Sequence, residues 1–300
     1  MPNNVYAGID IGGTFTKLGV VSHDKIVAGK LIKSPTNINE FFRLFEELKA
    51  NYEFTALGVG IPGIIDHKNM IMKYASPSLG FLNEKSIKEK IERIISTNVY
   101  ITNDANVVTI GEMIYGAGKG ISSALCLTLG TGIGGGLYYK NRLLIGDNGF
   151  AAEFGHINVI ENGTLCSCGK RRGCVENYFS ISGIINLVRE VKGKEHPMEE
   201  ILKMAQNGDK DILKALSNVS FLLGKAIGAI LLVIDINTII LAGGLSRFFP
   251  YIKNAVMRGI KEYCYSSDYA NITIKKSELL ENAGILGAAY LAKSRGEILY

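Results

Sequence analysis

Three of the chain's five cysteines and one of its four histidines fall between Glu153 and Glu176, in Glu-Phe-Gly-His, a spacer, and Cys-Ser-Cys-Gly-Lys-Arg-Arg-Gly-Cys-Val-Glu. His156, Cys166, Cys168 and Cys174 form a Cys3His set, the donor chemistry of a tetrahedral structural zinc. Four protein ligands close the coordination shell, so such a centre shapes a loop and does not activate water. The chemistry then belongs to what the loop presents, and the carboxylates of Glu153 and Glu176 flank it. The alternatives are a disulfide or three unrelated buried thiols. Cys166 and Cys168 are too close in sequence for an ordinary bridge, and Gly169 and Gly173 read as turns that fold the thiols onto one point.

A second group of residues reads as phosphate chemistry. Asp10 closes the apolar run 5–11 and is followed by Ile-Gly-Gly-Thr; Gly130-Thr131-Gly132 follows a second run, 124–129. Glycines let the backbone approach a phosphate closely, and Thr14 and Thr131 can add hydroxyls, so two such turns can hold one polyphosphate. Either turn alone reads equally well as a tight hairpin. Gly130-x-Gly132-x-x-Gly135 matches a dinucleotide fingerprint by letter, but that fingerprint opens a helix and here a β-rich run follows. No Gly-x-x-x-x-Gly-Lys-Ser/Thr occurs. Gly243-Gly244 follows a third run, 238–242. Asp10, beside the first turn, is placed to hold magnesium directly or through water. Asp104 follows Asn103 at the end of the run 99–102 and opens a helix. Its position alone suits a cap, and the end-of-strand placement suits a catalytic carboxylate.

Patterning supplies the elements that carry these residues. Strands are expected at 5–11, 16–21, 26–33, 57–61 (stopping at Pro62-Gly63) and 99–102, with helices at 39–52, 85–95 and 104–115. Phe41, Phe42, Phe45 and Leu48 share one face of the first helix, which covers the sheet. After a hinge at 116–120 the pattern restarts: strand 124–129, glycine turn 130–136, strand 137–139 and the metal loop. Helices at 182–192, 198–206 and 211–234, strand 238–242, helix 251–263, strand 272–275 and helix 283–294 follow. Both halves open with strand, glycine turn containing threonine, and returning strand. A duplicated α/β unit with a cleft between the copies is therefore expected: a small domain over 1–117, completed by a C-terminal helix at 284–300, and a larger one over 118–283.

Composition narrows the function classes. Three hundred residues at 47% hydrophobic suffice for a full core. The longest apolar run, 226–234, is too short to span a bilayer, and the start of the chain lacks the basic and apolar regions of a signal peptide. A cytoplasmic protein without membrane partners is expected, with Cys126 and Cys264 as thiols. The net charge of +5 is spread among interleaved acids, and Lys170-Arg171-Arg172 is the densest basic cluster. It reads as a solvated loop, so no nucleic-acid partner is expected.

Asp-Ile-Gly-Gly-Thr, Asn103-Asp104, Gly-Thr-Gly-Ile-Gly-Gly-Gly, Glu-Phe-Gly-His and Cys-x-Cys-Gly followed by Gly-Cys-x-Glu stand in the order found in the ROK family (repressors, open reading frames, sugar kinases), which the chain resembles from Asp10 to the segment 284–288. The resemblance implies an actin-like ATPase fold (a duplicated ribonuclease H-like unit), α/β, in two domains, with ATP, magnesium and a hexose in the interdomain cleft. By the same resemblance Asp104 is the general base, and Gly63, Asn103, Glu153, His156 and Glu176 join it in binding the sugar. Asp10, Gly12, Gly13, Thr14, Lys17, Gly130, Thr131, Gly132, Gly243 and Gly244 are implied to bind the nucleotide and its metal, and the zinc-bound histidine to touch the sugar as well. A homodimer or homotetramer is implied. Glucose phosphorylated at its 6-hydroxyl is the expected reaction, with an N-acylhexosamine or fructose as alternative acceptor. A sugar-responsive repressor of the same family carries a helix-turn-helix domain ahead of the first turn, whereas nine residues precede Asp10 here. Three departures stand out. Lys170 to Arg172 put three residues between Gly169 and Gly173 where the family usually has two, Ala152 replaces a common glycine, and Pro77-Ser78-Leu79-Gly80-Phe81 replaces a segment with asparagine and tryptophan.

Overall fold

The computed structural model describes residues 4–264 and 271–300. Along the chain run β1 (Val5–Ile11), β2 (Phe15–Ser22), β3 (Lys25–Lys33), α1 (Ile38–Asn51), β4 (Ala56–Ile61), β5 (Gly63–Asp66), β6 (Ile71–Ala75), β7 (Lys85–Ser86), α2 (Lys88–Ile95), β8 (Asn98–Asn103) and α3 (Asp104–Tyr115). Then come β9 (Ala124–Leu129), β10 (Ile133–Tyr139), β11 (Arg142–Leu144), α4 (Glu176–Phe179), α5 (Ile181–Lys192), α6 (Met198–Gln206) and α7 (Lys210–Leu231). β12 (Thr238–Ala242), α8 (Phe249–Tyr263), β13 (Thr273–Lys276) and α9 (Ala283–Lys293) complete the described elements.

Two sheets repeat one plan. The first runs β3-β2-β1-β4-β8 and the second β11-β10-β9-β12-β13, so β1 corresponds to β9, β4 to β12 and β8 to β13. In both, the central strand has parallel neighbours on one side: β1 with β4 and β4 with β8, β9 with β12 and β12 with β13. The two glycine turns leave equivalent strands, β1 and β9. A small antiparallel sheet, β5-β6-β7, is added between β4 and α2.

The chain divides into two compact units: Met1–Ser122, Gly136–Ala152 and Glu278–Tyr300 form the first, Ser123–Gly135 and Glu153–Ser277 the second. In the first, buried Ile9, Ile11, Leu57, Val59 and Ile61 of β1 and β4 share a core with Phe41, Phe45 and Leu48 of α1. α9 covers the same strands at very close range. A Cβ at Gly58 would lie 1.8 Å from the carbonyl oxygen of Ala288, and one at Gly8 2.2 Å from that of Ile285. Only glycine permits that approach, which ties the C-terminal helix to the first unit.

Three expectations are corrected. Residues 136–152, assigned from sequence to the second domain, group with the first, because a Cβ at Gly136 would meet Thr109 Oγ1 at 2.0 Å, Leu143 pairs with Leu299, and Gly149 lies against Ile65. The glycine turn read over 130–136 stops at Gly132; Ile133 is buried and residues 134–136 are strand. The helix expected at 85–95 begins at Lys88, since Lys85 and Ser86 pair with Met72 and Ile71 in β7.

In the second unit α7 is long and apolar enough, by length and composition alone, to cross a membrane. Its Leu216, Leu223, Ile227 and Leu231 are nevertheless buried inside the protein. Gly224 admits the backbone of α8, since a Cβ there would sit 2.1 Å from the carbonyl oxygen of Val256. That makes α7 a core helix of this unit.

Candidate active site and metal centre

In the first unit, β1 carries Asp10 to the edge of its glycine turn. Gly12 N–H donates to Phe15 O at 3.0 Å, closing the turn, and a Cβ at Gly12 would lie 2.8 Å from that oxygen. A Cβ at Gly13 would meet no atom within 4 Å. Ser34 secures the turn from outside: its hydroxyl donates to Gly12 O at 2.6 Å and its N–H to Thr14 O at 3.0 Å. Nothing in the sequence marked Ser34. Lys17 stands opposite Asp10 in the β1–β2 register and pairs with Glu281. Asp10 is buried beneath the start of α9, where a Cβ at Gly284 would fall 2.1 Å from its Oδ2. Burial pushes its carboxyl up to about 6, against the pull of the Lys17 ammonium.

β8 delivers Asn103 and Asp104. Asn103 is the cap of α3: its Oδ1 accepts Ala105 N–H at 2.8 Å, while its Nδ2 donates to Gly63 O at 2.9 Å. The capping duty that position alone would give Asp104 is thus discharged by its neighbour, and Asp104 is the first helical residue. The structure also brings Gly63 to Asn103, two positions expected together. Gly63 has φ 142°, and a Cβ would lie 2.1 Å from Tyr74 O.

In the second unit, the turn Gly130-Thr131-Gly132 is closed by Gly130 N–H to Gly132 O at 2.9 Å and meets the start of α5 through Ile181 N–H to Gly130 O at 2.8 Å. Gly243, at φ 80°, packs on Leu129, the last residue of β9, at the base of this turn. Beside Gly244 opens a pocket lined by Ile181, Met198, Leu202, Leu245 and Phe248, with Glu199 and Arg247 at its polar side.

Glu153 follows Ala152, which takes the left-handed conformation at φ 63°. That explains why glycine suits position 152. Desolvation holds the Glu153 carboxyl above the usual carboxylate range; His156 works against this shift and Glu176 adds to it. Glu176 opens α4 with Oε2 accepting Ile133 N–H at 2.9 Å and Oε1 accepting the Ser167 hydroxyl at 2.9 Å.

The donor atoms of His156, Cys166, Cys168 and Cys174 all lie within 4.8 Å of one another. Tetrahedral bonds of about 2.3 Å to sulfur and about 2.0 Å to nitrogen put S and N about 3.5 Å apart. Cys166 Sγ and His156 Nδ1 are 3.6 Å apart, so the set fits a tetrahedral ion. Burial pushes the Cys174 thiol up to about 12, whereas the Lys170 and Arg171 amides draw Cys168 down; a cation would favour the thiolate of both. The extra residue of the loop does not part the ligands. Cys166 N–H donates to Arg171 O at 2.7 Å and Leu165 bridges to Arg172, leaving the additional length in a turn that Gly169 completes at φ 72°. Gly173, also at φ 72°, lies under Ile160, where a Cβ would meet the carbonyl oxygen at 1.8 Å.

Residues 6–295 match the ROK family. The chain belongs to the ROK family. It is 31% identical to a glucokinase of Thermotoga maritima, across 98% of this chain and 99% of the relative, and 28% identical to a glucokinase of Streptomyces coelicolor across 97% and 98%. Among solved structures it is similar to a ROK family glucokinase from Streptomyces griseus in complex with glucose and AMPPNP, at 27% identity and TM-score 0.83, covering 97% of this chain and 100% of that one. The actin-like ATPase fold expected from the resemblance is the fold of this ROK chain, and the paired sheets are its duplicated unit.

Proposed function

We propose that this ROK protein is an ATP-dependent glucokinase, which transfers the γ-phosphoryl group of ATP to the 6-hydroxyl of glucose. The observation that carries the reading is identity along nearly the whole chain to glucokinases, 31% in one case. The sites described above are chemically suited to the reaction. Asp104 takes the proton from the attacking hydroxyl, a role supported by its place at the end of β8 with the capping bond made by Asn103. Asn103, held at Gly63, and Glu153, His156 and Glu176 hydrogen-bond the remaining hydroxyls. Amides of the turns at 12–14 and 130–132, with the hydroxyls of Thr14 and Thr131 and the ammonium of Lys17, bind phosphate oxygens. Gly243 and Gly244 contact the adenosine, and the apolar pocket beside Gly244 suits a flat base.

Asp10 is the residue that would hold magnesium, directly or through water, and the ion would neutralise phosphate charge. His156, Cys166, Cys168 and Cys174 would hold zinc, which would fix the loop. With Nδ1 turned to the thiolates, the Nε2 of His156 is left to meet a sugar hydroxyl in a fixed tautomer. A homodimer or homotetramer is proposed from the family resemblance.

The test is ATP turnover with magnesium against a panel of sugars. Glucose is expected to have the highest kcat/KM, because a ring of polar groups rejects a sugar that leaves any of them unpaired. A higher kcat/KM for N-acetylmannosamine, N-acetylglucosamine or fructose would overturn the glucose assignment while leaving the reaction class standing.

A further inference from the structure

Glu176 makes two contacts that a sugar-binding role does not require. Its Oε2 accepts the N–H of Ile133, the first residue after the second glycine turn, and its Oε1 accepts the Ser167 hydroxyl, each at 2.9 Å. Two glycines make room for the same oxygen: a Cβ at Gly132 would come within 2.5 Å of Oε2 and one at Gly155 within 3.1 Å. The end of the turn is therefore seated on Oε2, while Oε1 is held by a residue lying between Cys166 and Cys168 in the metal loop. Ser167 approaches Cys166 Sγ only to 3.9 Å, so its strong bond is the charge-assisted one to Glu176. A carboxylate offers about four acceptor directions. Two are used here, leaving one on each oxygen for a sugar hydroxyl.

We propose that Ser167 is a positioning residue which, through Glu176, sets the place of the second phosphate turn, so that the metal loop governs nucleotide affinity as well as sugar affinity. The identity of the two ligands rests on the kinase reading above. Without the hydroxyl, Oε1 has only solvent to hold it, the glutamate regains rotamer freedom, and the Ile133 amide loses a fixed partner. The Gly132 end of the turn then loses its seat, although no residue that meets a phosphate has changed.

The experiment uses the full, metal-loaded chain and its Ser167→Ala and Ser167→Thr variants. Calorimetry with a non-hydrolysable ATP analogue and magnesium, without sugar, gives nucleotide affinity; steady-state kinetics give KM for glucose; elemental analysis gives metal content. Ser167→Ala is expected to weaken nucleotide binding about three- to tenfold and to raise the sugar KM by a similar factor, with kcat moved less. Metal content is expected to be unchanged, and Ser167→Thr, which keeps the hydroxyl, to restore both constants. Unchanged nucleotide affinity in Ser167→Ala, or a loss that appears only with loss of metal, would overturn the proposal. The titration needs no sugar, so it decides this inference whichever sugar the wild-type protein phosphorylates, or if it phosphorylates none.

Discussion

Glu112 is wholly buried in α3, and its carboxylate joins the backbone just beyond that helix to backbone that the sequence places far away. Oε2 accepts Ala117 N–H at 3.0 Å and Glu278 N–H at 3.2 Å; Oε1 accepts Leu279 N–H at 3.1 Å. Those amides flank the points where the chain leaves the first unit after Ser122 and re-enters it at Glu278. Glu112→Gln keeps the shape and removes one acceptor. With its oxygen in the place of Oε2 the glutamine serves two amides and points an NH2 at the third; in the other orientation it serves one. A part-buried donor that loses this acceptor costs about 1–2 kcal/mol, and the surviving bonds lose their charge assistance, for a total of about 3 kcal/mol. The thermal midpoint is expected to fall by roughly 5–10 °C for a chain of this size. Hydrogen exchange at Ala117, Glu278 and Leu279 should accelerate, which separates loss of the clasp from a general softening. A midpoint within about 2 °C of wild type, with those amides still protected, would refute the reasoning.

Asp104→Asn is expected to lower kcat at least about a hundredfold, the scale of a lost general base, while calorimetry finds sugar binding retained; near-normal kcat would remove Asp104 from the chemistry. Elemental analysis of protein purified without added metal should find one zinc per chain, and stripping it should raise the sugar KM and lower stability; full activity in chelator with no zinc bound would contradict the assignment. Asp10 sets a pH dependence in metal-free protein. Its folded pKa of about 6 lies above the ordinary 3.8, so between these values the folded state binds more protons and stability falls as pH rises. Above about pH 6 the buried charge costs on the order of 2–3 kcal/mol. Asp10→Asn should therefore raise the apo-protein's melting midpoint at pH 7.5, with the gain shrinking toward pH 5, and weaken magnesium-dependent nucleotide binding; a gain independent of pH would show that the carboxyl is not the source.

How far the chain could be read from its letters depended on whether both partners of an interaction leave a mark there. The Cys3His cluster was legible because its four members are distinctive residue types, and the structure brings their donor atoms together; the repeated strand–glycine turn–strand pattern emerged as two sheets of the same order. The glycines at 134–136 were misread as turn because their reason is tertiary: Gly136 yields space to Thr109, which no local pattern announces. Asn103 and Asp104 were recognised as a pair, but which of them caps α3 is decided by side-chain geometry, where Asn103 meets the Ala105 amide. Where the longer Cys-rich loop places its additional length was not legible, since Cys166 and Arg171 close a hairpin whose register does not depend on residue type. Ser34, Ser167 and Glu112 passed unnoticed, and for the first and last the partners include backbone groups of Gly12, Thr14, Ala117, Glu278 and Leu279, beside the Thr16 hydroxyl that also meets Ser34. Nearly every residue carries such donors and acceptors, so a bond to one of them imposes no signature on its partner's identity. Ser167 is hidden for a related reason: its partner Glu176 already has a reading as a sugar ligand, and a single letter does not disclose that the same carboxylate also supports the Ile133 amide.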